Sequence, residues 1–145
     1  MNKIYAIALL FLVLSPCAIA DRGPVRRCYH SNATFENKIG YCHALRVGDT
    51  LYISGTAPDG PMPGVIRTTY TNLQKTLAAS GLTFNDVVME RVYTTDLDTF
   101  IRYQKIRKEF YGKTFPAATW IQVQRLFDPA NVLEIELQAR YPTKQ

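Results

Sequence analysis

Apolar residues along this chain recur at two periods, and each change of period marks a new element. Ile66, Tyr70, Leu73 and Leu77 recur at three- and four-residue steps, which predicts an amphipathic helix stopped at Gly81. A second stripe, Phe100, Tyr103, Ile106 and Phe110, predicts another helix, capped by Asp96 or Asp98 and ended by Gly112. Around them the period falls to two. Cys42–Arg46 and Thr50–Ser54 predict a strand pair about the Val47-Gly-Asp49 turn, and Val87–Thr94 is β-branched and strand-like. Two more strands are expected, one after Phe115 and one over Leu133–Ala139, joined through Asp128-Pro-Ala-Asn131. Arg26–His30 reads as a short leading strand. The order ββαβαββ after it predicts an α+β fold, one sheet with both helices on one face. Two helices leave the other face bare, and assembly of sheet against sheet is the expected remedy.

The start of the chain does not belong to that pattern. Met1-Asn-Lys3 is a short basic start, Ile4–Leu14 is unbroken apolar, and Ala18-Ile-Ala20 is a small-x-small cleavage signal. Residues 1–20 are therefore expected to be a secretory signal peptide, too short in its apolar run to remain as a stable membrane span. Residues 21–37 read as an N-terminal extension carrying the first strand, and residues 38–145 as the single folded domain. The mature chain is expected outside the cytoplasm, periplasmic or secreted. Cleavage would remove Cys17 and leave Cys28 and Cys42, an even count that permits a disulfide in an exported chain. Two unpaired thiols on neighbouring strands are the alternative.

Composition excludes more than it proposes. Without Lys3 the chain holds 16 Lys+Arg against 12 Asp+Glu, a mildly basic balance. No basic run is interleaved with aromatics as a nucleic-acid groove requires, so no nucleic-acid partner is expected. His30 and His43 do not stand at zinc-ligand spacing with Cys28 and Cys42, and no metal or other cofactor is expected. There is no Gly-rich phosphate loop and no G-x-S-x-G elbow.

A set of ordered motifs carries the functional signal. These are Lys38-Ile-Gly-Tyr-Cys-His43, Leu51-Tyr-Ile-Ser-Gly-Thr-Ala-Pro58, Asn72-Leu-Gln-Lys-Thr-Leu77, Gly81-Leu82 and Asp86-Val-Val88. They continue through Arg91-Val-Tyr-Thr-Thr-Asp-Leu-Asp-Thr-Phe100, Glu109-Phe-Tyr-Gly112, Phe115-Pro-Ala117 and Leu133-Glu-Ile-Glu136. Over about residues 38–141 the chain resembles the RidA (YjgF/YER057c/UK114) family. The resemblance implies a chorismate-mutase-like fold and a homotrimer whose barrel is built from three sheets, with a small-molecule cleft between neighbouring subunits. It implies hydrolysis of enamines and imines such as 2-aminoacrylate, with release of ammonia. In that family an arginine in a Phe-Pro-Ala-Arg-Ser motif holds the substrate carboxylate, and a last-strand glutamate positions or activates water.

Carried onto this chain, the resemblance makes Glu134 the catalytic candidate and Tyr41 and Ser54 ligand-binding candidates. The arginine's slot is filled by Ala118, and Thr119 and Trp120 replace the usual Ser and Cys. A methyl group cannot imitate a bidentate guanidinium, so the usual carboxylate substrate is disfavoured. Arg46, Arg91 and Arg125 are the arginines that would have to substitute. Pairing of the last two strands about Pro129 would set Gln124 opposite Glu134 and Ala118 opposite Arg140, with Glu134 and Ala118 about 20 Å apart. They would then share a pocket only across a subunit interface. Plainer roles stand beside these: Tyr41 closing a strand end, Ser54 satisfying backbone at its turn, Glu134 a solvated strand residue. Trp120 is either a wall of the cleft or a filler of the trimer core. Three functions are carried forward: a C–N hydrolase of altered specificity, a non-catalytic ligand-binding or interaction protein on the same scaffold, and, more weakly, an endoribonuclease.

Overall fold

A computed structural model describes residues 23–142. The leader expected at residues 1–20 lies outside them. Among the described residues six strands form one sheet: β1 (Arg26–Tyr29), β2 (Ala44–Val47), β3 (Thr50–Thr56), β4 (Val87–Thr94), β5 (Ala117–Gln122) and β6 (Leu133–Arg140). The helices are α1 (Ala33–Ile39), α2 (Gly64–Ala79), α3 (Leu97–Arg102) and α4 (Lys105–Tyr111), with a 3₁₀ turn at Phe84–Asp86. The fold is α+β, as the periodicities predict.

The sheet order is β1-β2-β3-β6-β4-β5, antiparallel throughout except for the parallel pair β4–β5. Alternation decides which face is buried. Leu133, Ile135, Leu137 and Ala139 of β6 point to the core with Leu51 and Ile53 of β3 and Val92 of β4. Above them lie Ile66, Tyr70, Leu73 and Leu77 of α2, Phe100 of α3 and Tyr111 of α4, all buried. The opposite positions, Tyr52 and Ile121 among them, form a face that stays exposed. Gly48, at φ +60°, supplies the positive φ of the two-residue β2–β3 turn.

Three expectations need correction. The last two strands do not pair with each other. β4 lies between them, parallel to β5 and antiparallel to β6, so Ala118 stands opposite Glu90, Glu134 opposite Tyr93 and Arg140 opposite Thr50. The physical reason is the route of the chain. A helical crossover through α3 and α4 returns β5 parallel to β4, whereas the ten residues from 123 to 132 are too long for a tight hairpin and carry the chain past β4. The second predicted helix is two, because Tyr103 and Ile106 close an i→i+3 turn that tightens the chain between α3 and α4. Its apolar stripe survives the break, with Phe100 buried and Tyr103, Ile106 and Phe110 packed on the core.

The third correction is α1, which sequence periodicity did not reveal. Asn32 caps it through a bond from the Phe35 amide, and Gly40 ends it at φ +92°. Glu36 at its centre is 1% exposed. Burial opposes its charge, but the Asn32 amide, His30, and the Ser31 hydroxyl and amide bond the carboxylate and hold its pKa at about 2. A lowered carboxyl pKa stabilises the fold above the ordinary value of 4.5, and that stability is lost as pH falls through about 2. Glu36→Gln should therefore remove about 3 kcal/mol at neutral pH and flatten the loss between those limits. Urea midpoints measured against pH check this; an unchanged acid limb would contradict it.

Cys28 and Cys42 are joined by a disulfide, with Cα atoms 5.5 Å apart. Of the two alternatives the sequence left open, the bridge is the one present. It ties the edge strand β1 to the segment that leads into β2.

Candidate functional site

The glutamate is positioned by an irregularity in β3. Ile53 faces Leu137 and Thr56 faces Ile135, so β3 spends one more residue than β6 over the same span. That bulge falls at Ser54-Gly55, and bulges of this kind redirect side chains beside functional sites. The Ser54 amide donates to His43 O at 3.0 Å and its hydroxyl to Cys42 O at 2.7 Å. Gly55 leaves the space that the Glu134 side chain occupies. A methyl group there would overlap Oε1, Cδ and Cγ of Glu134.

Around Glu134 lies an open hollow of about 730 Å³. Tyr41, His43 and Ser54 line one side, Asn72 of α2 and Asp59 another, and Phe127, Asp128 and Asn131 of the β5–β6 connection a third. Burial, and secondarily Glu136, raises the pKa of Glu134 above the ordinary carboxyl value. Glu136 is itself paired with Arg91 at 2.6 Å. Burial also raises the Tyr41 phenol, helped by Glu36 and Glu134, so it stays a proton donor at neutral pH. Burial lowers His43, partly offset by Glu36, and favours its neutral form; its Nε2 lies 2.9 Å from Thr76 Oγ1. Asn131 donates through Nδ2 to Ala57 O at 3.1 Å, leaving its buried Oδ1 without a partner. An unpaired buried acceptor in a hollow is available to a ligand N–H or O–H. This arrangement brings one raised carboxyl, a phenol, a hydroxyl and a free amide oxygen to one place.

The candidates from sequence divide into two groups. Tyr41, Ser54 and Glu134 meet in the hollow; Ala118 and Trp120 do not line it. Opposite residues share a face, so Ala118 and Trp120 lie on the helix side with Glu90 and Val92, while Glu134 lies on the exposed side with Tyr93. Two strand spacings and three residues separate Ala118 from Glu134, about 14 Å between backbone positions. Trp120 packs edge-on against Phe100 at 5.2 Å between ring centres, and its buried Nε1 has no partner. None of the three candidate arginines reaches the hollow. Arg91 pairs with Glu136, Arg46 donates to Gly48 O and covers the Tyr141 ring, and Arg125 donates to Leu126 O.

Sequence reasoning missed Asn131 and Gly55. Asn131 was visible only as part of a turn, and Gly55 as the second half of a Ser-Gly pair. In any reaction that Glu134 carries, Gly55→Ala should push its carboxylate aside and lower the rate about a hundredfold, since a displacement of about 1 Å suffices for that. Circular dichroism alongside a rate measurement checks it; full activity in a folded variant would show that the carboxylate position is immaterial.

Among the described residues no group of His, Cys, Asp and Glu is placed to hold a metal ion, and no helix is long and apolar enough to cross a membrane.

A six-stranded α+β sheet with helices on one face and a polar hollow at its bulge defines a class, and comparison with known proteins gives the class its family. Residues 32–141 match the family model described as Endoribonuclease L-PSP. A RutC family protein of Pyrococcus horikoshii is 32% identical over 108 residues, 68% of this chain and 83% of the relative. A 2-iminobutanoate/2-iminopropanoate deaminase of Dermatophagoides farinae is 30% identical over 105 residues, 66% of this chain and 81% of the relative. Among solved structures, a member of the YjgF/YER057c/UK114 family from Mycobacterium tuberculosis superposes with a TM-score of 0.74 at 28% identity, covering 80% of this chain and 99% of that one. The chain belongs to the RidA (YjgF/YER057c/UK114) family. Trimeric assembly is typical of that family.

Proposed function

We propose that this protein hydrolyses C=N bonds of small imines or enamines that carry no carboxylate, in the hollow around Glu134. One observation carries the reading: a half-buried carboxyl of raised pKa sits beside donors and acceptors suited to a polar substrate, with no Lys or Arg among the lining residues. The ionised Glu134 takes a proton from water as the oxygen attacks the imine carbon and returns it to the imine nitrogen, giving a carbinolamine. It then carries the carbinol O–H proton to the same nitrogen as the C–N bond breaks and the carbonyl forms, an enamine entering after tautomerising to its imine. Tyr41 donates to the substrate, and the Asn131 oxygen receives its N–H. Ser54, its hydrogen committed to Cys42 O, offers a lone pair.

The substrate class follows from charge. Asp59, Asp128 and Glu134 face the hollow and His43 is the only basic side chain lining it. Such a lining favours a neutral or cationic ligand over a carboxylate, and disfavours the phosphates of RNA. Phe35 and Ile39 on α1 and Phe127 at the rim are exposed, as are Phe115 and Ile121 at the β5 end of the sheet. A homotrimer would cover these surfaces and bring Ala118 of one copy toward the hollow of the next. In that assembly Ala118 leaves a carboxylate unanchored, a loss of about 2–5 kcal/mol, or roughly 30-fold to several-thousand-fold.

The test compares 2-iminobutanoate with an uncharged imine of similar size, for the wild type and Ala118→Arg. The wild type should prefer the uncharged imine, and the variant should gain chiefly on 2-iminobutanoate. Equal or better wild-type turnover of 2-iminobutanoate would overturn the substrate assignment.

A further inference from the structure

A second hollow, of about 420 Å³, adjoins the first through Tyr41 and Ser54, which line both, and the disulfide-bonded Cys28 and Cys42 lie in its wall. Beside the bridge stands His30. Its Nε2 is 3.2 Å from Cys28 Sγ, and its Nδ1 is 2.5 Å from Glu36 Oε2. Glu36 is held in turn, its Oε1 accepting from the Ser31 amide, the Ser31 hydroxyl and the Asn32 amide, and its Oε2 from the His43 amide. The buried carboxylate is ionised, so Nδ1 carries a proton. In neutral His30 the Nε2 lone pair therefore faces Cys28. Sulfur, imidazole and buried carboxylate stand in the order that activates a nucleophile.

A disulfide serving only as a staple does not need this arrangement. Glu36 already has four donors without His30, and the His30 side chain is 30% exposed. Cys28 and Cys42 both line the hollow, which places the bridge beside any thiol bound there. Arg26 lines it as well and supplies a cation suited to a carboxylate. The other titratable groups in the lining are Tyr41 and Tyr52, with Glu36 behind His30.

We propose that Cys28 and Cys42 form a redox-active pair that exchanges with a low-molecular-weight, carboxylate-bearing thiol bound in this hollow, with His30 stabilising the Cys28 thiolate. In the reducing direction an external thiolate bonds to Cys42 Sγ as the Cys28–Cys42 bond breaks, and the bond's electron pair leaves on Cys28. Protonated His30 holds that thiolate. A second external thiolate attacks the external sulfur of the mixed disulfide and releases Cys42. Two electrons thus pass from two thiols to the protein disulfide, and the thiols depart as their own disulfide. Their protons end on the two cysteines, or on His30 and solvent. The reverse sequence oxidises the pair with Cys28 as the attacking group.

Glutathione is the probe. The full-length protein and His30→Asn are equilibrated with graded mixtures of reduced and oxidised glutathione, and the reduced fraction is read by alkylation and mass. Loss of the imidazole should shift the exchange constant about tenfold toward the disulfide. In the reduced wild type, Cys28 should alkylate about tenfold faster than Cys42 at pH 6, a readout that needs no variant to fold. An unchanged exchange constant in folded His30→Asn, or equal alkylation of the two thiols, would make the bridge a staple and overturn the proposal.

Discussion

Arg107→Met is expected to lower folding stability by about 3–5 kcal/mol and the thermal midpoint by roughly 10–20 °C. Arg107 lies on α4 at 5% exposure, and its Nε is 2.9 Å from both oxygens of Glu90, which is wholly buried on β4. The Tyr70 hydroxyl donates to Glu90 Oε1 at 2.9 Å, and burial with the Glu90 charge keeps that phenol protonated. The guanidinium carbon lies 4.5 Å from the centre of the Tyr111 ring and 5.4 Å from that of Trp120. Removing the arginine alone leaves a carboxylate in the core with one neutral donor. Removing both charges, as Glu90→Leu with Arg107→Met, should recover most of the loss, because the desolvation cost disappears with the pair. Thermal melts of the single and double variants check this. A single variant within about 1 kcal/mol of wild type would mean that water reaches Glu90.

Glu134→Gln is expected to cut imine turnover by about 10²–10⁴-fold while leaving KM and stability nearly unchanged. The amide keeps the shape over Gly55 and still accepts a hydrogen bond, but it cannot take a proton from water. A loss confined to kcat would assign Glu134 to the proton transfer; a loss confined to KM would assign it to binding.

The elements with strong periodicity were legible from sequence. The stripe Ile66–Tyr70–Leu73–Leu77 is the buried side of α2, and Val87–Thr94 is β4 to the residue. Strand order was not, because nothing local in β5 or β6 says that β4 separates them; a crossover decides that. The seven residues of α1 are too short to show a period, although Asn32 and Gly40 mark its ends. In the hollow, Tyr41, Ser54 and Glu134 were named through family motifs. Asn131 escaped because only burial makes its oxygen unusual. Glu90 and Arg107 escaped for a related reason: a charged residue on a strand or helix reads as solvated until packing places its partner beside it.

The most direct test of the central claim is the pH dependence of ammonia release from an uncharged imine, for wild type and Glu134→Gln, with spontaneous hydrolysis subtracted. A general base works only when ionised, so wild-type rates should rise with pH through an acid limb lying above the ordinary carboxyl value of 4.5. That limb should vanish in Glu134→Gln along with most of the rate. Wild-type and variant profiles that coincide would contradict the assignment of hydrolysis to this carboxylate.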